Sequence, residues 1–281
     1  MIKIGKWNRL PIVKEVDFGI YLDGGVLGEI LLPDRYAPDL CEAGDMLNVF
    51  IYADSEDRLI ATTQSPYAVV GDCACLKVVS VHADIGAFLD WGLPKDLLVP
   101  FKEQNLRMKA GERHIVCLYV DDSRRIVASA KLDRFLTQKP NPYRLGQAVD
   151  LLICNETDMG YRAIINNTSW GMLYFDGVFT QLKKGQRTKG YIQKVRPDHK
   201  IDLCLQKPGY EKVEGTAKMI LRILKSEGGF IALTDKSPPE VIAKKFNVSK
   251  KTYKKALGAL YKKRWITIET TGIRLNRRTS S

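Results

Sequence analysis

The sequence predicts a mainly β protein that ends in α-helices: three five-stranded barrels in tandem, followed by a small domain of helices and short strands. Three observations lead to this prediction. One pattern occurs twice without a gap and a third time in a looser form, strand-like segments fill the chain as far as residue 206, and helical periodicity begins near Gly215. A period of 2 indicates strands and a period of 3.6 indicates helices.

The repeated pattern begins at residues 17–23 (Asp-Phe-Gly-Ile-Tyr-Leu-Asp) and returns at residues 84–90 (Asp-Ile-Gly-Ala-Phe-Leu-Asp), which is an offset of 67 residues. The two copies stay aligned through a later Gly-acid pair and an Asp-x-x-x-Arg turn. A looser third copy begins at residues 158–160 (Asp-Met-Gly). A fixed period over a full unit indicates an internal duplication.

Each copy contains five short strand-like segments that are separated by Gly, Pro and Asp. The predicted strands are 10–16, 19–22, 27–32, 46–52 and 59–63; then 73–81, 87–91, 97–100, 114–120 and 125–130; then 147–154, 161–166, 169–175, 187–195 and 200–205. A five-stranded Greek-key barrel of this size is the OB-fold. We therefore expect OB domains at residues 1–64, 70–132 and 146–207. Residues 133–145 contain two prolines in three residues and predict an irregular linker.

The C-terminal segment predicts three helices and a hairpin. Ala217, Ile220, Leu221 and Leu224 form one apolar helical stripe. A second helix is expected to begin at Pro238 and Pro239, with Ser237 as its N-cap and Val241, Ile242 and Phe246 facing inward. Ser249 caps a third helix that runs to about Arg264, and residues 265–269 and 272–275 form the hairpin. Three helices and a two-stranded wing predict a winged-helix domain at residues 213–277.

These motifs carry a resemblance to known families. The order of strand, Asp-x-Gly-x-aromatic, two strands, Gly-acid, strand and Asp-x-x-Arg-Ile-x-x-Ser resembles the RNA-binding S1 domain. Three such domains followed by a winged helix resemble the bacterial CvfB family, also called YitL-like, of RNA-binding regulators. The resemblance implies that the protein binds RNA, regulates gene expression and catalyses no reaction.

The positive charge lies in the C-terminal half. Residues 209–281 contain 17 Lys and Arg against 6 Asp and Glu, and residues 147–208 contain 9 against 6. Residues 1–146 contain 18 against 20, so the whole excess of +12 comes from the other two segments. A basic excess of this size indicates a polyanionic partner, most often nucleic acid, or else a surface that keeps the protein in solution.

Single-stranded RNA is held by aromatic rings that stack on bases and by cations along the phosphates. The second and third strands of an OB barrel present such residues. The candidates are Phe18 and Tyr21 in the first copy, Phe88 in the second, and Tyr161, Arg162, Tyr174, Phe175, Arg187, Lys189, Tyr191, Lys194 and Arg196 in the third; Lys250, Lys251, Lys254 and Lys255 join them from the third helix. Some of these rings are expected to be barrel core instead, and the lysines can equally form a solvated face.

The first two copies depart from the pattern of a strong RNA binder. Pro33 and Pro100 stand where the resembled domains often carry His, and Ile85 replaces an aromatic residue. We therefore expect the first two barrels to bind RNA weakly and to act as a scaffold or as a contact for a protein partner. The third barrel is expected to be the main site and to share one basic track with the winged helix.

Other classes of function find little support. The six cysteines fit no zinc signature and are expected to be buried thiols in a reducing cytoplasm. No apolar run approaches the ~18 residues that a membrane span needs, so no membrane partner is expected. The three histidines lack nucleophilic partners, and Asp121 and Asp122 fit a turn better than a metal site. We therefore expect no enzyme, no metal and no cofactor.

Two alternatives remain open. The winged helix suits a DNA-binding transcriptional regulator, although its third helix has few side chains that read base edges. The barrels also suit a factor that associates with the ribosome or with RNA polymerase. The RNA target, its base preference and the oligomeric state are not indicated by the sequence.

Overall fold

The computed structural model describes residues 2–136, 143–175, 178, 181–205 and 210–276. The chain divides into two compact units. One contains residues 1–143, 149–189 and 194–203, and the other contains residues 144–148, 190–193 and 204–281. The predicted fold is confirmed: three closed five-stranded barrels precede three helices and a small sheet.

The first barrel closes in the order β1-β2-β3-β5-β4, with β3 and β5 parallel. Its interior is filled by alternate residues of every strand, such as Leu22, Ile30, Leu32 and Ile51, which are almost completely buried. Its strands are β1 (Trp7–Val16), β2 (Gly19–Asp23), β3 (Glu29–Pro33), β4 (Met46–Ala53) and β5 (Leu59–Thr62).

The second barrel repeats this topology, as the duplicated pattern predicts, with β8 and β10 as its parallel pair. Its strands are β6 (Cys73–His82), β7 (Gly86–Asp90), β8 (Leu97–Pro100), β9 (Arg113–Val120) and β10 (Ile126–Ser129). The buried core of this barrel extends into the first one: the ring of Trp91 lies 5.8 Å from that of Phe50 and 6.3 Å from that of Tyr52. The two barrels are therefore joined by a shared aromatic core.

The third barrel closes in the same order with longer hairpins. Its strands are β11 (Ala148–Thr157), β12 (Gly160–Ile165), β13 (Ser169–Tyr174), β14 (Arg187–Val195) and β15 (Ile201–Cys204). A second apolar cluster joins it to the second barrel, and its buried members are Cys73, Ile115, Cys117, Leu136, Leu152, Cys154 and Ile164. Polar contacts surround this joint. Asn167 Nδ2 donates to Asp72 Oδ1 at 2.9 Å, and the Arg187 guanidinium donates to the Cys73 carbonyl at 2.8 Å.

Part of the predicted linker belongs to that joint. Leu132–Arg134 is a short 3-10 turn, and Leu136 is buried against the third barrel. The prediction of an irregular linker is therefore wrong for residues 133–134, whereas residues 135–136 are irregular as predicted but packed rather than free. Both prolines of the prediction, at 140 and 142, lie outside the described residues.

The helical region contains α1 (Tyr210–Ser226), α2 (Pro239–Phe246) and α3 (Lys250–Lys262). Its sheet has three strands in the order β16-β18-β17, where β16 is Phe230–Ile231, β17 is Ile266–Ile268 and β18 is Ile273–Leu275. The prediction of a two-stranded wing therefore missed one strand. The helices bury Ile220, Leu224, Ile242, Phe246, Tyr253, Leu257 and Leu260 against one another and the sheet.

Two details of α2 correct the sequence prediction. Its N-cap is Pro238, and Ser237 Oγ instead accepts a hydrogen bond from Thr234 N at 2.9 Å. Val241 is 44% exposed, because the buried positions of this short helix are Ile242 and Phe246, one turn apart. The cap of α3 is confirmed, since Ser249 Oγ accepts from Thr252 N at 3.2 Å.

The cysteines differ in part from the expectation. Cys73 and Cys117 lie opposite each other on the antiparallel strands β6 and β9, and their Sγ atoms are bonded. The prediction that all six are thiols is wrong for this pair. Cys154 is a buried thiol as expected, and burial raises its pKa to about 12, which makes it a poor nucleophile. No helix in the described ranges is long and apolar enough to cross a membrane.

Candidate nucleic-acid interface

The three hairpins between second and third barrel strands are equivalent in register. Gly19 pairs with Pro33, Gly86 with Pro100, and Gly160 with Tyr174. Two residues beyond each glycine, one side chain points out of the barrel, because successive residues of a strand alternate between its faces. These outward side chains are Tyr21, Phe88 and Arg162.

The first barrel brings its two predicted rings together. Phe18 is 56% exposed, and its ring lies edge-on to that of Tyr21 with 6.3 Å between centroids. The Nζ atom of Lys14 lies 5.0 Å from the Tyr21 ring and 2.6 Å from a carboxylate oxygen of Glu29. This pair of rings, one exposed and one half-buried, with one cation beside it, can stack on unpaired bases.

The first barrel also presents a strongly acidic cleft. A cavity of about 590 Å³ is lined by Glu15, Asp34, Asp39, Glu42 and Asp45. None of these five carboxylates pairs with a cation in the described ranges. Residues 1–64 contain 6 Lys and Arg against 11 Asp and Glu, so this barrel as a whole repels phosphate.

The ring of the second barrel is placed differently. Phe88 is half-buried in a cavity of about 270 Å³ that lies between the first and second barrels. Tyr52 of β4 and Trp91 also line this cavity, and Lys95 and Arg125 contribute cations. Lys95 is already engaged, because its Nζ donates to the Asp54 carbonyl and to Asp57 Oδ1 at 3.1 Å. The second barrel therefore has one candidate ring for stacking on a base, Phe88, and that ring is partly covered.

The turns of both barrels confirm the structural role predicted for their aspartates. Asp54 Oδ1 accepts from the backbone N of Glu56 and Arg58, and Asp121 Oδ1 accepts from those of Ser123 and Arg125. Burial raises the pKa of Asp54, but the hydrogen bonds from Arg58 and Glu56 outweigh it and lower the pKa overall. Within the described residues, no group of three or more His, Cys, Asp or Glu could hold a metal ion.

In the third barrel the outward position is held by Arg162. Its guanidinium carbon lies over the Trp170 ring, 3.6 Å from the centroid. Asp133 binds both partners: its Oδ1 accepts from Trp170 Nε1 at 2.7 Å and from the Arg162 guanidinium at 3.2 Å. Arg162 is thus partly occupied by the joint between the second and third barrels. Sequence reasoning missed Trp170 and Asp133 as its partners, because their contact depends on how two barrels pack.

Tyr174 belongs to a second polar cluster on the same barrel. Its hydroxyl accepts from the Arg196 guanidinium at 2.8 Å, and Arg196 Nε donates to Asp202 Oδ1 at 2.8 Å. The hydrogen bond that Arg196 donates to Asp202 raises the pKa of Arg196, so this cation stays charged. Arg196 occupies the turn position that Asp54 and Asp121 hold in the first two barrels, which reverses the charge there.

The remaining candidates of the third barrel divide into available and engaged side chains. Phe175 is 41% exposed and meets Tyr161 edge-on at 5.4 Å. Tyr161 itself is only 6% exposed, so its prediction as a stacking ring does not agree with its placement inside the barrel. Arg187 is engaged at the joint and Lys189 pairs with Asp150, whereas Lys194 is exposed and Tyr191 half-buried.

The helix α3 carries its lysines on the face opposite its core. Lys251, Lys254 and Lys255 are exposed, and Lys250 is half-buried with its Nζ donating to the Lys236 carbonyl at 3.2 Å. Lys254 has a weak ion pair with Asp235 at 3.5 Å. Lys262 extends the same face by two turns. The predicted separation of lysines from the apolar face is therefore present in the structure.

Two segments of the chain match known domain families. Residues 4–64 match the S1 domain, and residues 218–275 match the CvfB-like winged helix domain. The chain therefore combines a barrel that matches the S1 domain, two further five-stranded barrels of the same topology and a segment that matches the CvfB-like winged helix.

Relatives resemble the chain along most of its length. It is 27% identical over 271 residues to YitL of Bacillus subtilis, covering 92% of this chain and 89% of that protein. It is 26% identical over 261 residues to conserved virulence factor B of Staphylococcus epidermidis, covering 84% and 82%. The resemblance to the CvfB and YitL-like family that the sequence predicts is thereby confirmed.

One solved structure covers nearly the whole chain. It is a multidomain protein with nucleic acid binding domains from Streptococcus pneumoniae, and its sequence is 26% identical to this chain. The match covers 97% of this chain and 98% of that chain, and the TM-score is 0.41.

Proposed function

We propose that this protein binds single-stranded RNA in the bacterial cytoplasm and regulates gene expression without catalysing a reaction. The observation that carries the proposal is the exposed lysine face of α3, which lies in a segment of 17 Lys and Arg against 6 Asp and Glu. Such a face binds phosphates through charge alone and carries few groups that read base edges. In the reducing cytoplasm, the bond between Cys73 and Cys117 that the structure contains is expected to be reduced to two thiols.

The accessible rings of the barrels, of which Phe18 and Phe175 are exposed and Tyr21 and Tyr174 half-buried, support a single-stranded nucleic acid. Phe18 and Tyr21 on the first barrel, and Tyr174 and Phe175 on the third, can stack on bases only where those bases are unpaired. Each stacked base contributes roughly 1–3 kcal/mol. The third barrel combines its rings with Lys194 and Arg196, so we assign it and α3 the main share of RNA affinity.

The first barrel has a different role in this proposal. Its cleft of five carboxylates opposes the approach of a polyanion. We assign this barrel a weak RNA contact through Phe18 and Tyr21 and a contact with a protein partner elsewhere on its surface.

The experiment measures the affinity of the full-length protein for a labelled single-stranded RNA and for duplex DNA of the same sequence, each at several salt concentrations. The variant Lys254→Gln/Lys255→Gln is compared with Lys77→Gln/Lys102→Gln, which removes two exposed lysines of the second barrel. We expect the α3 variant to lower the slope of log affinity against log salt by about 1.4, or 0.7 for each lost phosphate contact on a single strand. The control variant should keep the slope of the parent.

Two results would contradict the proposal. Equal slopes for the α3 variant and the parent would remove α3 from the interface. Stronger binding to duplex DNA than to RNA at every salt concentration would favour the alternative, a DNA-binding transcriptional regulator that uses the winged helix.

A further inference from the structure

The helix α3 has a glycine in its interior for which the fold provides no reason. Gly258 is exposed, and a Cβ atom built on it would meet no other atom within 4 Å. Glycine weakens a helix interior, because it loses more conformational freedom on folding than other residues do. Its backbone needs no left-handed conformation, since Gly258 is not among the residues with positive φ. An alanine would therefore fit the fold better.

The neighbours of Gly258 on the helix surface are three cations and one ring. Residues three and four positions away lie beside a helical residue, at about 5–6 Å between Cβ atoms. For Gly258 these residues are Lys254, Lys255, Tyr261 and Lys262, and all four are exposed. The glycine thus leaves the helix backbone uncovered at a point that is flanked by three exposed lysines and one exposed tyrosine.

We propose that a phosphate group of a nucleic-acid backbone packs directly against α3 at Gly258, with Lys254, Lys255 and Lys262 around it. This inference rests on the proposed function and names the contact point of that site. The lysines repel one another, since pairs such as Lys251 and Lys255 are one turn apart. A phosphodiester between them relieves that repulsion, and the absent side chain lets the bulky sugar-phosphate chain approach the helix closely.

An acidic peptide is a weaker fit to the same surface. A Glu or Asp carboxylate lies at the end of its own side chain. It could therefore reach a lysine of α3 even if residue 258 carried the methyl group of an alanine. A nucleic-acid phosphate lies within the main chain, between two riboses, so the whole backbone must come close to the helix. Only the second kind of partner gains from a residue without a side chain.

The test uses the full-length protein with Gly258→Ala and Gly258→Leu. The chain offers a matched control in Gly215 of α1, which is also an exposed helical glycine with no atom within 4 Å of a built Cβ. Beside it, Lys218 is paired with Glu214 at 3.4 Å, whereas of the three lysines around Gly258 only Lys254 has an ion pair among the described residues, with Asp235 at 3.5 Å. Single-stranded RNA and duplex DNA serve as separate ligands, and polyglutamate serves as competitor.

We expect Gly258→Ala to raise the melting temperature, because alanine is the better helix former. Gly258→Leu should weaken nucleic-acid binding by roughly tenfold, whereas Gly215→Leu should leave it unchanged. If Gly258→Leu lowers the affinity for only one of the two ligands, that ligand, single-stranded RNA or duplex DNA, is the one whose phosphate packs at Gly258.

Three outcomes would overturn the inference. In the first, Gly258→Leu binds nucleic acid like the parent while Lys254→Gln/Lys255→Gln binds it weakly. The proposed function would then stand, but the nucleic-acid backbone would not pack against Gly258. In the second, Gly215→Leu weakens binding as much as Gly258→Leu does. In the third, polyglutamate competes as well as RNA does. If neither the glycine nor the lysine variants change binding, the role of α3 in the proposed function fails as well.

Discussion

The glycine at the start of each repeated hairpin occupies a position where no side chain fits. Gly19, Gly86 and Gly160 have φ values of 148°, 152° and 153°. A Cβ on any of them would overlap the backbone carbonyl oxygen of the facing strand, at Leu32, Val99 and Leu173 respectively. The glycine in the Asp-x-Gly pattern is therefore a requirement of strand packing.

Gly86→Ala is expected to destabilise the second barrel by roughly 2–5 kcal/mol, since it combines an overpacked contact with a strained backbone. Gly111→Ala is the control: Gly111 also has a positive φ, of 87°, but open space around its built Cβ. It should cost only about 1–2 kcal/mol. Urea unfolding followed by tryptophan fluorescence measures both, because Trp91 is buried in this barrel. Equal losses would show that packing against Val99 is unimportant.

A buried carboxylate links stability to pH. Glu103 is 5% exposed, and its carboxylate accepts two hydrogen bonds from Arg134 Nη1, at 2.6 and 2.8 Å. Burial raises the pKa of Glu103, but hydrogen bonds from Ser129 and Arg134 outweigh it and lower the pKa overall from 4.5. A lowered folded-state pKa means that the carboxylate stabilises the fold above pH 4.5 and that this contribution is lost as the pH falls further.

Glu103→Gln should therefore lower the free energy of unfolding at pH 7 by about 1–3 kcal/mol, the range for hydrogen bonds to charged groups. The difference from the parent should shrink as the pH falls below 4.5, because the carboxylate is protonated first in the unfolded chain and then, below its lowered pKa, in the folded protein. Asp122→Asn, a change at an exposed carboxylate of the same barrel, serves as control. A constant difference between parent and variant from pH 7 to pH 3 would contradict this account.

At the scale of the element, the periodicity of apolar residues and the capping residues are sufficient to predict most of the strands and helices. The repeated strands were predicted because each barrel uses the same alternation of buried and exposed residues. The strand β16 was missed because two residues, Phe230 and Ile231, are too few to show a period. The predicted cap at Ser237 was wrong because its hydroxyl is used in the preceding turn by Thr234.

The candidate site was predictable only where it depends on a single element. The lysines of α3 follow from helical spacing, since the core residues fix which face is free. The pairing of Arg162 with Trp170 and Asp133 was not predictable, because Asp133 reaches them from outside the barrel. Tyr161 shows the same limit: whether a ring lies inside or outside a barrel depends on strand register, and a shift of one residue reverses it.

At the scale of the whole molecule, we expect the joint between the second and third barrels to compete with the proposed RNA ligand for Arg162. Asp133→Ala removes a negative charge and releases the guanidinium from one partner. We expect this variant to bind single-stranded RNA about two- to fivefold more tightly, in the range of one exposed ion pair. Asp122→Ala, which removes an exposed charge away from this joint, is the matched control. Weaker binding by Asp133→Ala would mean that the joint positions Arg162 for RNA instead.

The apolar joint also limits how this protein can be dissected. A fragment beginning at residue 146 would leave Leu152, Cys154 and Ile164 facing water, because their cover comes from Ile115 and Leu136. Uncovered apolar patches promote aggregation. Because Trp91 of the second barrel is covered in the same way by Phe50 and Tyr52 of the first, truncation studies that keep the third barrel should keep both preceding barrels as its cover.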